Sequence, residues 1–153
     1  MISEEVTTSD FRKVYSAMRA VNSLDELKMP TKHRTYLEHL LEYIKSYSKV
    51  EKVLLFGSCA RDVATSQSDI DLYILGSDIT DEDEWIIAWN CPKWDDVDYV
   101  SCDLLSGTHD SFEKMSKIPG MIQSAVEIMG VDISGLSSIY LRKSNLSLNH
   151  KRI

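Results

Sequence analysis

Two aspartates stand one residue apart in Asp69-Ile70-Asp71-Leu72, inside the otherwise apolar run DIDLYIL (69–75). Alternate residues of a strand point to the same side, so Asp69 and Asp71 project together while Ile70 and Leu72 project oppositely. Like charges held that close repel and raise each other's pKa unless a cation lies between them. Few lysines or arginines are near enough in sequence. A hard divalent cation such as Mg²⁺ is the more economical partner, because it takes carboxylate oxygens and keeps positions open for phosphate. A third carboxylate on a neighbouring strand would complete the cluster, and Asp98 in VDYV is the best placed. The plainer alternative is the solvated face of an edge strand, where alternating aspartates are common.

A second feature lies just upstream. The apolar run KVLLF (52–56) ends at Gly57-Ser58, followed by Cys59-Ala60-Arg61. A strand that stops at Gly-Ser and leads into a helix exposes backbone N–H groups, and glycine lets a phosphate come close to them. The Ser58 hydroxyl adds a donor, and Arg61, one helical turn on, could reach a phosphate oxygen. Either feature alone would be an ordinary turn or an ordinary strand face. A phosphate cradle beside metal-binding carboxylates points to chemistry on a phosphorylated substrate.

These residues need a scaffold, and the periodicity supplies one. A helix is expected over 9–22, with Phe11, Val14, Tyr15, Met18 and Val21 at helical spacing, and a second over 31–47, with Tyr36, Leu37, Leu40, Leu41 and Ile44 as its apolar stripe. SLDELKMP between them reads as a loop ended by Pro30. KVLLF and DIDLYIL are buried strands, with a short helix expected in SCARDVA between them. A helix should start after Thr80, which can cap it, with acids at its positive end. VDYVSCDLL (97–105) is a third strand, and a helix over 108–129 should break or restart at Pro119 and stop at Gly130. The fold class is therefore a small α/β or α+β domain with a sheet of at least three strands. The organisation expected is an N-terminal helical extension (1–48), a central domain (49–133) and a flexible or partner-docked tail (134–153).

Composition sets the outer limits. The 153 residues suit one domain with a sizeable core. Three cysteines without CxxC spacing argue against disulfides and zinc. A net charge of −7 argues against a general nucleic-acid binder, which needs a basic surface. It does not exclude one bound nucleotide, whose charge metal ions can balance. No apolar run is long enough to cross a membrane and the acidic start MISEEVTTSD is unlike a secretion signal, so a cytoplasmic location is expected.

The composite pattern FGS, ten residues, then DIDL resembles the signature of the polymerase β-like nucleotidyltransferase superfamily. With Ala60-Arg61 and Ser68 it reads GSxAR…SDIDL and is most similar to the minimal nucleotidyltransferases, the small single-domain branch. The resemblance covers roughly residues 52–105. It implies a small mixed sheet flanked by helices. It also implies two Mg²⁺ ions, with ATP or another nucleoside triphosphate as substrate. Asp69, Asp71 and Asp98 would be the metal-binding and catalytic residues, with Asp95, Asp96 and Asp103 close by as alternatives for the third place, and Gly57, Ser58, Arg61 and Ser68 the nucleotide-binding ones. A hydroxyl acceptor would attack the α-phosphorus and release pyrophosphate.

For the acceptor, fewer than fifty residues follow position 105, too few for the acceptor domain of larger relatives. The resemblance therefore implies a separate helical partner of the HEPN type, with AMP passing to one of its tyrosines in an antitoxin role. The alternatives are a catalytically inactive partner-binding module, and a homodimer acting on a small hydroxylated molecule such as an aminoglycoside. Weaker signals fit plainer roles. RTYLEH (34–39) matches a loose Arg-x4-His ribonuclease pattern, but positions five apart on a helix diverge. His109 and His150 are isolated, and Trp85, Trp89 and Trp94 could stack on adenine but more commonly pack into a core.

Overall fold

In the computed structural model, which describes residues 18–19 and 21–136, KVLLF is strand β1 (Lys52–Phe56) and the aspartate run is β2 (Ile70–Leu75). They pair antiparallel, with Phe56 opposite Asp71 and Leu54 opposite Tyr73. Strand β3 (Cys102–Gly107) lies parallel to β2 on its other side. A short β4 (Val131–Asp132), which periodicity is too brief to reveal, pairs antiparallel with β1. The order is β3-β2-β1-β4, so β2 is central and β3 is an edge. The mixed sheet with flanking helices is the expected class.

Alternation sorts the sheet's side chains onto two faces. Val53, Leu55, Ile70, Leu72 and Ile74 share a core with helix α1 (Thr31–Lys45), which buries Tyr36, Leu37, Leu40, Leu41 and Ile44. The opposite face carries Leu54, Tyr73 and Leu75, which pack with Phe112 and Val126. Burying each large aliphatic side chain contributes about 1.5–3 kcal/mol, and this holds a strand bearing two aspartates at the centre of the sheet.

The remaining helices start and stop for local reasons. Helix α2 (Asp81–Trp89) opens on a capping box: Thr80 Oγ1 accepts from Asp83 N, and the Asp83 carboxylate accepts from Thr80 N. The expected break at Pro119 separates α3 (His109–Ser116), capped by Thr108, from α4 (Ile122–Met129). Gly130 ends α4 where a Cβ would collide with the Val126 carbonyl.

Three expectations differ from the structure. SCARDVA forms consecutive turns, because Ala60 and Arg61 N–H both return to Gly57 O and Val63 N–H to Ser58 O, leaving no continuing helical ladder. The third strand begins at Cys102, not at 97. A one-turn 3-10 helix (Leu24–Glu26) stands inside the expected 23–30 loop. Most of the expected 9–22 helix and of the 134–153 tail lies outside the described residues; within them Arg19 makes an isolated bridge to Val131.

Candidate active site

Antiparallel β1–β2 and parallel β2–β3 pairing bring the end of β1 and the starts of β2 and β3 to one end of the sheet. Gly57-Ser58 follows β1, Asp69 immediately precedes β2, Asp71 is the second residue of β2, and Asp103 the second of β3. By parity Asp69, Asp71 and Asp103 belong to the face of Tyr73 and Leu105, away from α1. Farther along that face Tyr73 is closed in by Phe112, its ring centroid 5.1 Å away, and by Gln123, which donates to its hydroxyl at 3.3 Å. The carboxylates therefore sit at the open end.

Asp103 is the registered neighbour of Asp71, and the two carboxyl groups share a hydrogen bond. Partial burial pushes Asp71 up to about 6, with the charge and hydrogen bond of Asp103 next and Asp69 a smaller contributor. Asp69 and Asp103 are exposed and Asp71 is half-buried. Among the described residues no group of three or more His, Cys, Asp or Glu side chains is drawn close enough together to hold a metal ion. The donor set nonetheless suits a hard divalent cation: carboxylate oxygens only, two of them in contact, and one with its charge disfavoured until a cation arrives.

Asp98 is elsewhere. It is exposed in the irregular 97–101 segment, before the ladder that starts with Ile70 N–H donating to Ser101 O. A strand continued back to 97 would still not help, because even-numbered positions share the face of Cys102 and buried Val100, on the α1 side. The geometry thus puts Asp103 where the expected third carboxylate belongs. In the sequence Asp103 and Leu105 alternate as Asp71 and Tyr73 do, but that parity does not say which aspartate lies beside Asp71.

Gly57 has φ +72, and a Cβ built on it would run into Asp71 Oδ2. The turn and the carboxylate are therefore packed against each other, and the absent Cβ leaves the room a bound cation or phosphate oxygen requires. Gly57→Ala should lose about 1–2 kcal/mol from the left-handed backbone alone. Thermal unfolding checks that loss, and calorimetric titration with MgATP should show weakened binding from the displaced carboxylate. Ser58 is half-buried, and no acceptor is found for its N–H among the described residues. Arg61 is exposed on the turn, with no ion-pair partner among the described residues. Ser68 is engaged locally: its Oγ accepts from Thr65 N at 2.8 Å. Behind the turn, buried Cys59 donates weakly to Asp69 O, and burial pushes its thiol up to about 11.

Tyr36 of α1, with Pro92, Lys93, Trp94, Val97 and Tyr99, lines an open pocket of about 610 Å³. Tyr36 meets Trp94 and Tyr99 edge-on at 5.5 and 5.6 Å. Cys102, the chain neighbour of Asp103, lines an adjoining cavity of about 200 Å³. Trp94 is thus part of a half-buried aromatic cluster, whereas Trp85 and Trp89 are exposed and stacked on each other. Arg34 and His39 serve the fold: Arg34 donates to Leu27 O, and His39 packs on Trp94. His109 lies 3.3 Å from Glu51. Among the described residues no helix is long and apolar enough to cross a membrane.

A family model described as "Nucleotidyltransferase domain" matches residues 37–129, more than half of the chain. The chain is also similar to a Sulfolobus solfataricus protein of known crystal structure, provisionally described as a nucleotidyltransferase. That match has 18% identity and a TM-score of 0.40, and covers 54% of this chain and 75% of the other. No curated protein matches the chain.

Proposed function

This chain belongs to the nucleotidyltransferase domain family and is a nucleotidyltransferase, and we propose that it is a metal-dependent enzyme moving AMP from ATP to a hydroxyl acceptor. The observation that supports this most is the contact between Asp71 and Asp103 beside the Gly57 turn. Asp69, Asp71 and Asp103 would hold Mg²⁺, which when bound supplies charge stabilisation to the attacking and leaving oxygens. Gly57, Ser58 and Arg61 receive the β- and γ-phosphates, and Ser68 shapes the turn before Asp69. The acceptor oxygen bonds to the α-phosphorus as the bond to the bridging oxygen breaks. Pyrophosphate leaves, and the hydroxyl proton passes to Asp103.

Strand order then suggests where the acceptor enters. The cradle follows β1 and Asp103 lies on β3, so an in-line displacement brings the hydroxyl from the β3 edge. The acceptor we propose there is the phenolic hydroxyl of a tyrosine on a HEPN-type partner, in an antitoxin role, with a small hydroxylated molecule such as an aminoglycoside as the alternative.

The protein should be incubated with Mg²⁺, extract, and ATP labelled at either the α- or the γ-phosphate. Label should reach an acceptor only from the α position and only with Mg²⁺. Transfer from the γ position, or no transfer from any nucleoside triphosphate, overturns the reading. Partner inhibition that survives an Asp69→Asn/Asp71→Asn double variant would instead establish the inactive binding module.

A further inference from the structure

Thirteen residues, 57–69, join β1 to β2 without helix or strand, yet they carry both the phosphate cradle and Asp69. A connection of that length is intrinsically free to move. Group transfer requires its phosphate-binding and metal-binding groups within about 0.5 Å of their working positions. Burial of Cys59 and Ala60 in the core anchors its first residues. Two further, polar ties reach it from outside, and both come from residues that precede the 37–129 family match.

The first tie is at Asp62. Its φ of 61 lies in the left-handed region, which aspartate tolerates better than most residues. Arg19 Nη1 donates to Asp62 Oδ2 at 2.7 Å, and Lys28 N–H donates to Asp62 Oδ1 at 2.8 Å. The same guanidinium reaches Ala60 O at 3.4 Å and Glu26 O at 3.2 Å. Because Ala60 and Arg61 N–H close on Gly57 O, and Val63 N–H on Ser58 O, fixing Ala60 and Asp62 fixes the cradle.

The second tie is at the other end. His33 on α1 is fully buried, and its Nε2 lies 2.7 Å from Ser68 O, the carbonyl just before Asp69. A carbonyl only accepts, so Nε2 carries a proton, and Nδ1 is buried with no hydrogen-bond partner among the described residues. The ring is therefore spent on one hydrogen bond to the site connection.

We infer that Arg19 and His33 are positioning residues that brace the cradle and the aspartate strand from the N-terminal segment. The inference rests on the nucleotidyltransferase reading for its consequence, but not for its mechanics. Hydrogen exchange of amides 58–69 measures the mechanics, and calorimetric affinity for Mg²⁺-pyrophosphate measures the consequence. Arg19→Ala and His33→Ala should speed exchange in 58–69 relative to β1–β3, and weaken pyrophosphate binding roughly three- to tenfold. His33→Gln, whose amide N–H can reach the place of Nε2–H, should restore both, and Arg19→Lys should restore them in part. Should His33→Ala not fold, Arg19→Ala and His33→Gln carry the test.

Unchanged exchange in Arg19→Ala, or faster exchange spread evenly through the sheet, overturns the brace. So does a His33→Gln protein as loose in 58–69 as the alanine variant. If the parent protein itself fails to bind Mg²⁺-pyrophosphate, the nucleotidyl-transfer reading of the cradle fails, and exchange alone still decides the brace.

Discussion

Replacing Asp71 with asparagine should cut nucleotidyl transfer on the order of a thousandfold while making the metal-free protein more stable. Both effects have the same origin. Asp71 is pushed up to about 6, from an ordinary 3.8, by burial and then by Asp103 and Asp69. A carboxyl group whose pKa is raised on folding favours the folded state when protonated. That stability is fully present below pH 3.8 and is lost as pH rises through 6. The shift alone corresponds to about 3 kcal/mol; because Asp71 is only half-buried, solvent screening leaves roughly 1–2 kcal/mol. In the metal-free parent the thermal midpoint should therefore fall between pH 4 and 6, and Mg²⁺ should reverse the fall. In the asparagine variant that pH dependence should flatten, the midpoint at pH 7 should rise, and Mg²⁺ should stabilise less. Full transfer by a stable Asp71→Asn protein would remove Asp71 from the metal site. A lowered midpoint would mean the carboxylate supports the fold.

The second large effect separates two aspartates that sequence spacing leaves hard to tell apart. Asp103→Asn should lower transfer about a hundredfold or more, whereas Asp98→Asn should leave it within roughly twofold. Asp103 is registered with Asp71 and bonded to it, while Asp98 is exposed in the segment before the strand. Asp103→Asn also removes the neighbouring charge that raises Asp71, so the pH-dependent midpoint should move toward the ordinary carboxylate range. Steady-state transfer assays and thermal scans against pH measure both. Loss of activity in Asp98→Asn with an active Asp103→Asn protein would show that the working form has a different β3 register.

Much of this was legible from local pattern. KVLLF is β1 residue for residue, and the Thr80 cap and the break at Pro119 stand where their chemistry put them. The parity of Asp69 and Asp71 follows from the period of a strand. The turns after Ser58 were less legible. Helix propensity in a seven-residue stretch is weak, and here Val63 N–H returns five residues to Ser58 O, so the ladder begun by Arg61 and Gly57 does not continue.

By itself the chain determined that two carboxylates share a strand face close to a Gly-Ser turn, because spacing along a strand sets side-chain direction. Only the folded sheet decided the third member, since which aspartate lies beside Asp71 depends on where the parallel β2–β3 ladder starts. A one-residue change of register would turn Asp103 to the far face. The ties from Arg19 and His33 were likewise invisible, because they join residues more than thirty positions apart, and no local periodicity records such a contact.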